Sequence, residues 1–313
     1  MRAQTMHLAA ADLPRSRPTD SVRQADVPLV RHTSVGLRTA RVLTGVIVAL
    51  VTVSSAAGLW ITGLYREPPA TEALFRAYDL VALAVAAPAL LLATLLARRG
   101  SARAQLAWAG MLAYAVYAYA FYVFGTAFND LFLVHVAIFS LSIFALVFTL
   151  ANLDVAGHAA SFRQRTPVKT VSGLLLLLAI PIGVFWVFFS LRMALTDQLP
   201  ADTLLVQPLP ALHLSYVLDL ALLVPSYVLA AALLWRRVAW GYVAASVLPV
   251  SGLVHQLSYM TALAFQAQAN VPGATAFDPQ EPVIVAAFLI AISLLLANLP
   301  RRARLPGSVN EPE

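Results

Sequence analysis

The sequence predicts an all-α protein, a polytopic transmembrane helix bundle of eight spans with a duplicated four-helix unit. Three observations carry this. The 313 residues are 60% hydrophobic and only 12% charged, and the mean hydropathy is +0.78, whereas a soluble domain runs at ~45–50% apolar and ~25% charged. Apolar runs of bilayer length recur along the chain. The basic residues collect in alternate gaps between those runs. The same composition excludes a water-soluble globule and a disordered chain. With no cysteine in the chain, disulfide scaffolds, thiolate-ligated clusters and cysteine nucleophiles are excluded as well.

A hydrocarbon core of ~30 Å needs about 20 mostly apolar residues in a helix. Eight runs meet this requirement, at 42–64, 80–97, 105–127, 131–152, 171–192, 212–235, 239–264 and 282–299. With the N-terminus inside, 18 of the 21 basic residues fall on the cytoplasmic side. Only Arg66, Arg76 and Arg192 fall outside. Because Lys and Arg are retained on the cytoplasmic face, the expected protein is multi-pass in a bacterial plasma membrane, with both termini cytoplasmic. The net charge of +6 is thus a topology signal and calls for no nucleic-acid partner; the partner it implies is the lipid bilayer. The first apolar run begins behind seven arginines and reads as a span, not a cleaved leader. Residues 1–38 and 300–313 read as cytoplasmic tails and 153–170 as a cytoplasmic linker.

Two stretches suggest the duplication. Asp79-Leu80 is followed by Pro88 and then LLARRG; Asp219-Leu220 is followed by Pro225 and then LLWRR. The expected repeats are 40–152 and 171–299. Each holds an even number of spans, so both would cross the membrane in the same orientation.

Ionisable groups at membrane depth are costly, ~2.5–3.5 kcal/mol at a helix centre, so each one inside a span requires an account. All of them map to the outer half. Asp79, Asp130, His213 and Arg192 lie near span ends and read as solvated headgroup-level groups, as do Trp60, Tyr65 and Tyr78. Asp219 stands about seven residues, ~10 Å, into its span, on a stripe with Ser215, Tyr216 and Ser226. On the seventh span Ser251, His255, Ser258 and Tyr259 share a face, with Pro249 below them. Either stripe faces the bundle interior or a wet cavity. A structural Asp219 to His255 hydrogen bond and a functional site account for it equally. The third span, LAYAVYAYAFYVFG, alternates alanines that permit close approach with tyrosines that offer hydroxyls. The ligand-binding candidates are Asp219, His255, His135, Asp79, Tyr216, Tyr259 and Tyr117. No nucleotide, zinc or serine-hydrolase motif occurs, and no catalytic residue, metal or cofactor is assigned.

The stretch YAFYVFGTAFNDLFLVHVAIFSLSIFAL, with YDLVALAVAAPALLLA and LDLALLVPSYVLAAALLWRRVAWGYV, resembles a group of uncharacterised bacterial integral membrane proteins of about eight transmembrane helices. The resemblance implies an integral plasma-membrane protein and brings no activity. From the residues, the expected function is binding or transport of a small molecule or lipid headgroup in an outward-facing polar cavity. Two alternatives stay open: a membrane enzyme acting on a lipid-linked substrate, with His255 as base and Asp219 orienting it, and a partner-binding subunit or sensor.

Overall fold

A computed structural model of the chain describes residues 34–198 and 204–299. Of the expected tails, 300–313 lies outside the described residues and so does 1–38, except for residues 34–38. Those five already belong to the first helix. The described residues form nine helices and no strand: α1 (Ser34–Trp60), α2 (Pro69–Arg98), α3 (Ala102–Phe124), α4 (Phe132–Ala151), α5 (Val155–Ser161), α6 (Val168–Thr196), α7 (Leu209–Trp235), α8 (Ala239–Gln268) and α9 (Glu281–Leu296). Six of them, α1 to α4, α6 and α7, are long and apolar enough to cross a bilayer. The two remaining expected spans are also helical. In α8 the polar stripe dilutes the apolar run, and α9 is apolar but has only 16 residues. The short α5 lies within the stretch expected as a linker.

Local chemistry sets the helix ends. The Ser101 side chain accepts the Ala104 amide at 3.3 Å to cap α3, and Asp154 accepts the Gly157 amide at 2.8 Å to cap α5. Proline stands in the first turn of α2, α7 and α9, where its missing N–H costs nothing. Inside α2 and α7 one turn widens. Ala82–Ala86 and Asp219–Leu223 are π-helical, closed by the Ala87 amide on the Ala82 carbonyl and by the Val224 amide on the Asp219 carbonyl. Pro88 and Pro225 explain the position of each. A proline ring collides with the carbonyl four residues back and gives that carbonyl no amide, and a wider turn relieves both effects.

The helix α2 starts 11 residues ahead of the expected span at 80–97. Glu72, Arg76 and Asp79 hide this segment from a hydropathy reading, yet Ala73, Leu74, Phe75, Ala77 and Tyr78 are all buried. Asp79 therefore lies ten residues inside a continuous helix, about 15 Å from its start at 1.5 Å per residue.

In the first half α1 packs on α2 and α4, and α3 packs on the same two. In the second half α6 packs on α7 and α9, and α8 likewise on both. The halves meet where α8 lies against α2 and α3. Gly110 on α3 permits that approach, because a Cβ there would stand 2.7 Å from Cβ of Val250 and 2.8 Å from the Val247 carbonyl. As the strut between the halves, α3 has 72% of its apolar window buried, against 22–44% in the other five long apolar helices.

Candidate functional site

The expectation that Asp79 sits solvated at the headgroup level is overturned. Asp79 is fully buried, and so are Tyr65 and Tyr78, while Trp60 is exposed as expected. The Tyr65 hydroxyl donates to Oδ2 of Asp79 at 2.5 Å and the Tyr122 hydroxyl to Oδ1 at 3.0 Å. Gly58 on α1 makes room for the carboxylate, since a Cβ there would fall 1.8 Å from Oδ2. Beside Tyr122 lies His135, also fully buried, its ring centroid 4.8 Å from the phenol ring. Nε2 of His135 shares a 3.0 Å hydrogen bond with Ser54, and its Nδ1 has no partner.

A second carboxylate in the other half is held in a related way. Asp219 is buried, with Oδ1 accepting the Tyr117 hydroxyl at 2.5 Å and Oδ2 accepting the Trp186 indole N–H at 2.8 Å. The Tyr117 ring is in edge contact with His255, 4.7 Å between centroids. Tyr78 and Phe121 also flank the imidazole, whose Nδ1 is buried without a partner. Asp219 and His255 thus meet on Tyr117, and the hydrogen bonds of Asp219 go to Tyr117 and Trp186. Helix α7 reaches farther out than expected, so Asp219 is ten residues from its start. Beyond Asp219 the π-turn breaks the 3.6-residue period, so Ser226 does not continue the stripe of Ser215 and Asp219. On α8, Ser258 is buried and shares a 3.1 Å bond with Tyr114, while Tyr259 and Ser251 are half-buried.

His213, Arg192 and Asp130 lie at the surface, as the headgroup-level reading requires. His213 and Arg192 are exposed, and Asp130 pairs with Arg66 at 3.1 Å with both side chains largely solvent-accessible. Sequence reasoning passed over Gln266. Buried completely, it donates to the carbonyls of Ala70 at 2.9 Å and Val206 at 2.7 Å and accepts the Val206 amide at 3.0 Å. This clasp ties the C-terminal end of α8 to the start of α2 and to the segment before α7. Its one sequence signal is an amide in line with the His255 stripe, 11 residues on.

An open groove of about 680 Å³ lies between the C-terminal part of α6 and the N-terminal part of α7, lined by Ser190, Met193, Leu209, His213, Tyr216 and Leu220 among others. It is mainly apolar, in contrast to the polar cavity expected. Of the candidate residues only Tyr216 lines it. Tyr216 packs against Trp186 in a tilted contact, 4.0 Å between ring centroids, and Trp186 donates to Asp219, so the groove backs onto the buried carboxylate through one aromatic pair.

Glu281 precedes the last apolar run and is buried beside Asp278. Burial first, and the Asp278 charge second, push its carboxyl up from 4.5 to about 7. A carboxyl raised on folding holds a proton that the unfolded chain has released. Its contribution to stability is fully present below 4.5 and is lost as pH rises through about 7. The melting temperature in detergent is expected to fall across that window, and Glu281→Gln is expected to flatten the fall.

No family model, curated protein or solved structure matches the chain. The bacterial resemblance gains no family from these comparisons. Among the described residues, an all-helical architecture with six helices able to span a membrane stands on the structure itself.

Proposed function

We propose that this chain is an eight-span integral protein of a bacterial plasma membrane with both termini cytoplasmic, and that it binds or transports a small amphiphile, lipid or lipid-like. The amphiphile would lie in the groove between α6 and α7, with Asp219 behind Trp186 and Tyr216 governing its polar end. The observation that carries this reading is that the groove backs onto the buried carboxylate through the Trp186–Tyr216 pair. Met193, Leu209 and Val217 at its rim are exposed apolar side chains of the kind that face hydrocarbon, while His213 stands at the outer end where headgroups lie. Through Tyr117, Asp219 also reaches His255 and the junction of the two halves.

Two four-helix units in the same orientation fit the packing, since each half closes its helices in the same cyclic order. A common register supports them too. Ala82 and Asp219, Pro88 and Pro225, and Ala102 and Ala239 are each 137 residues apart, at the π-turns, the prolines and the next helix starts. In that register Asp79 and Asp219, 140 apart, are not equivalent: Asp219 falls opposite Ala82. The enzyme alternative required Asp219 to orient His255; among the described residues the hydrogen bonds of Asp219 go to Tyr117 and Trp186 and none to His255.

The test is a thermal-shift titration of delipidated protein in a neutral maltoside detergent with short-chain phosphatidylglycerol and phosphatidylethanolamine. At least one is expected to raise the melting temperature of the wild type. Ala221→Trp, which fills the groove from an exposed position, should abolish the shift, and Asp219→Asn should reduce it. Equal shifts in all three proteins would remove the groove and Asp219 from ligand binding.

A further inference from the structure

The Asp79 cluster leaves polar atoms unaccounted for. Asp79 sits deep in α2 without a cation. Arg76, one turn away, donates to the Leu59 carbonyl at 2.9 Å and lies 3.6 Å from Glu72, and no ion pair of Asp79 occurs among the described residues. A carboxylate offers about four lone-pair directions, and the phenols of Tyr65 and Tyr122 occupy two. The Ser55 hydroxyl on α1 faces both the Asp79 carboxylate and the Tyr119 hydroxyl of α3. Both residues are at least nine-tenths buried, and neither hydroxyl makes a hydrogen bond of good geometry. Each such orphan carries the desolvation cost of a hydrogen bond left unmade. The orphan Nδ1 of His135 belongs to the same cluster through the Tyr119 and Tyr122 rings.

We propose that this cluster binds a monovalent alkali cation, with the Asp79 carboxylate and the hydroxyls of Ser55 and Tyr119 as its oxygen ligands. The charge fits, because one unpaired carboxylate in an apolar surround is balanced by one positive charge and overcompensated by two. The chemistry fits as well, because carboxylate and hydroxyl oxygens are hard donors suited to a hard cation. Three elements, α1, α2 and α3, contribute ligands, so the ion would fasten the outer half of the first four-helix unit. The site is separate from the groove between α6 and α7, and the two readings stand or fall independently.

The experiment compares the melting temperature of the purified full chain in choline chloride, sodium chloride and potassium chloride at one ionic strength. Binding to the folded state alone raises stability with the logarithm of ion concentration above Kd. A rise in sodium or potassium over choline that grows with the logarithm of ion concentration is expected, with the arm that responds naming the ion. Ser55→Ala and Tyr119→Phe should each weaken the apparent affinity about tenfold, as loss of one buried ligand implies. Asp79→Asn should abolish the response, while Asp219→Asn should keep it. Superimposable melting in all three salts would overturn the site, and so would a full response in Asp79→Asn. If Asp79→Asn does not fold, the two hydroxyl variants decide: unchanged ion affinity in both overturns it.

Discussion

Asp79→Ala is expected to lower unfolding stability by about 2–6 kcal/mol, since two buried phenols lose their acceptor at ~1–3 kcal/mol each. The donors come from different places, Tyr65 beyond the end of α1 and Tyr122 on α3, so the loss loosens three helices together. Asp79→Asn should cost less, because its amide oxygen still accepts one phenol. Reversible unfolding in mixed micelles measures the difference. A double-mutant cycle with Tyr122→Phe should be strongly sub-additive, as expected where one substitution has already removed the other's partner. A cost below about 1 kcal/mol for Asp79→Ala would show that the carboxylate does not organise the first half.

The same small substitution should have opposite signs at two glycines. At Gly110 an added methyl collides with Val250 and the Val247 carbonyl across the contact between the halves. Overpacking of this kind costs about 1–3 kcal/mol, and here backbone atoms must move apart. At Gly45 an added Cβ meets nothing within 4 Å. There the gain in helix propensity should stabilise by about 0.5–1 kcal/mol. Since the chain has no cysteine, a spin-label pair can be placed on α3 and α8 without background. Gly110→Ala should lengthen or broaden that distance, and Gly45→Ala should leave it unchanged. Equal effects of the two substitutions on stability would mean that α3 and α8 do not form the close seam.

The helices were legible because apolar length is a strong signal. All eight runs correspond to helices, with ends moved by at most eleven residues. The largest displacement, at α2, has a specific cause. Glu72 and Arg76 interrupt the hydropathy while their neighbours Leu74, Phe75 and Tyr78 are buried, and hydropathy averages over faces that a folded helix separates. The same averaging sent Asp79, Tyr65 and Tyr78 to the interface. Asp219, His255 and Tyr117 were identifiable from their stripes, and all three do converge. Their pairing was not legible, because it depends on which neighbour offers a donor first. Tyr117 lies 102 residues from Asp219 in the chain and on the other half of the bundle. No periodicity within one helix reports such a partner. The π-turns escaped for a related reason: a proline in a long helix announces a disturbance without specifying whether the chain kinks or widens.

Those widened turns divide each long helix into two parts that obey different rotational settings. One extra residue in a turn advances everything after it by roughly 100° about the helix axis. In α2 the N-terminal part aims Asp79 at the tyrosines, and the C-terminal part, Ala87–Arg98, sets its own contact face from a fresh angular origin. Deleting one residue within Ala82–Ala86 would swing the C-terminal part and leave the N-terminal part in place. Polar specification at one end and apolar docking at the other can thus vary separately along one continuous rod, with the five alanine-rich residues between them acting as a phase shifter.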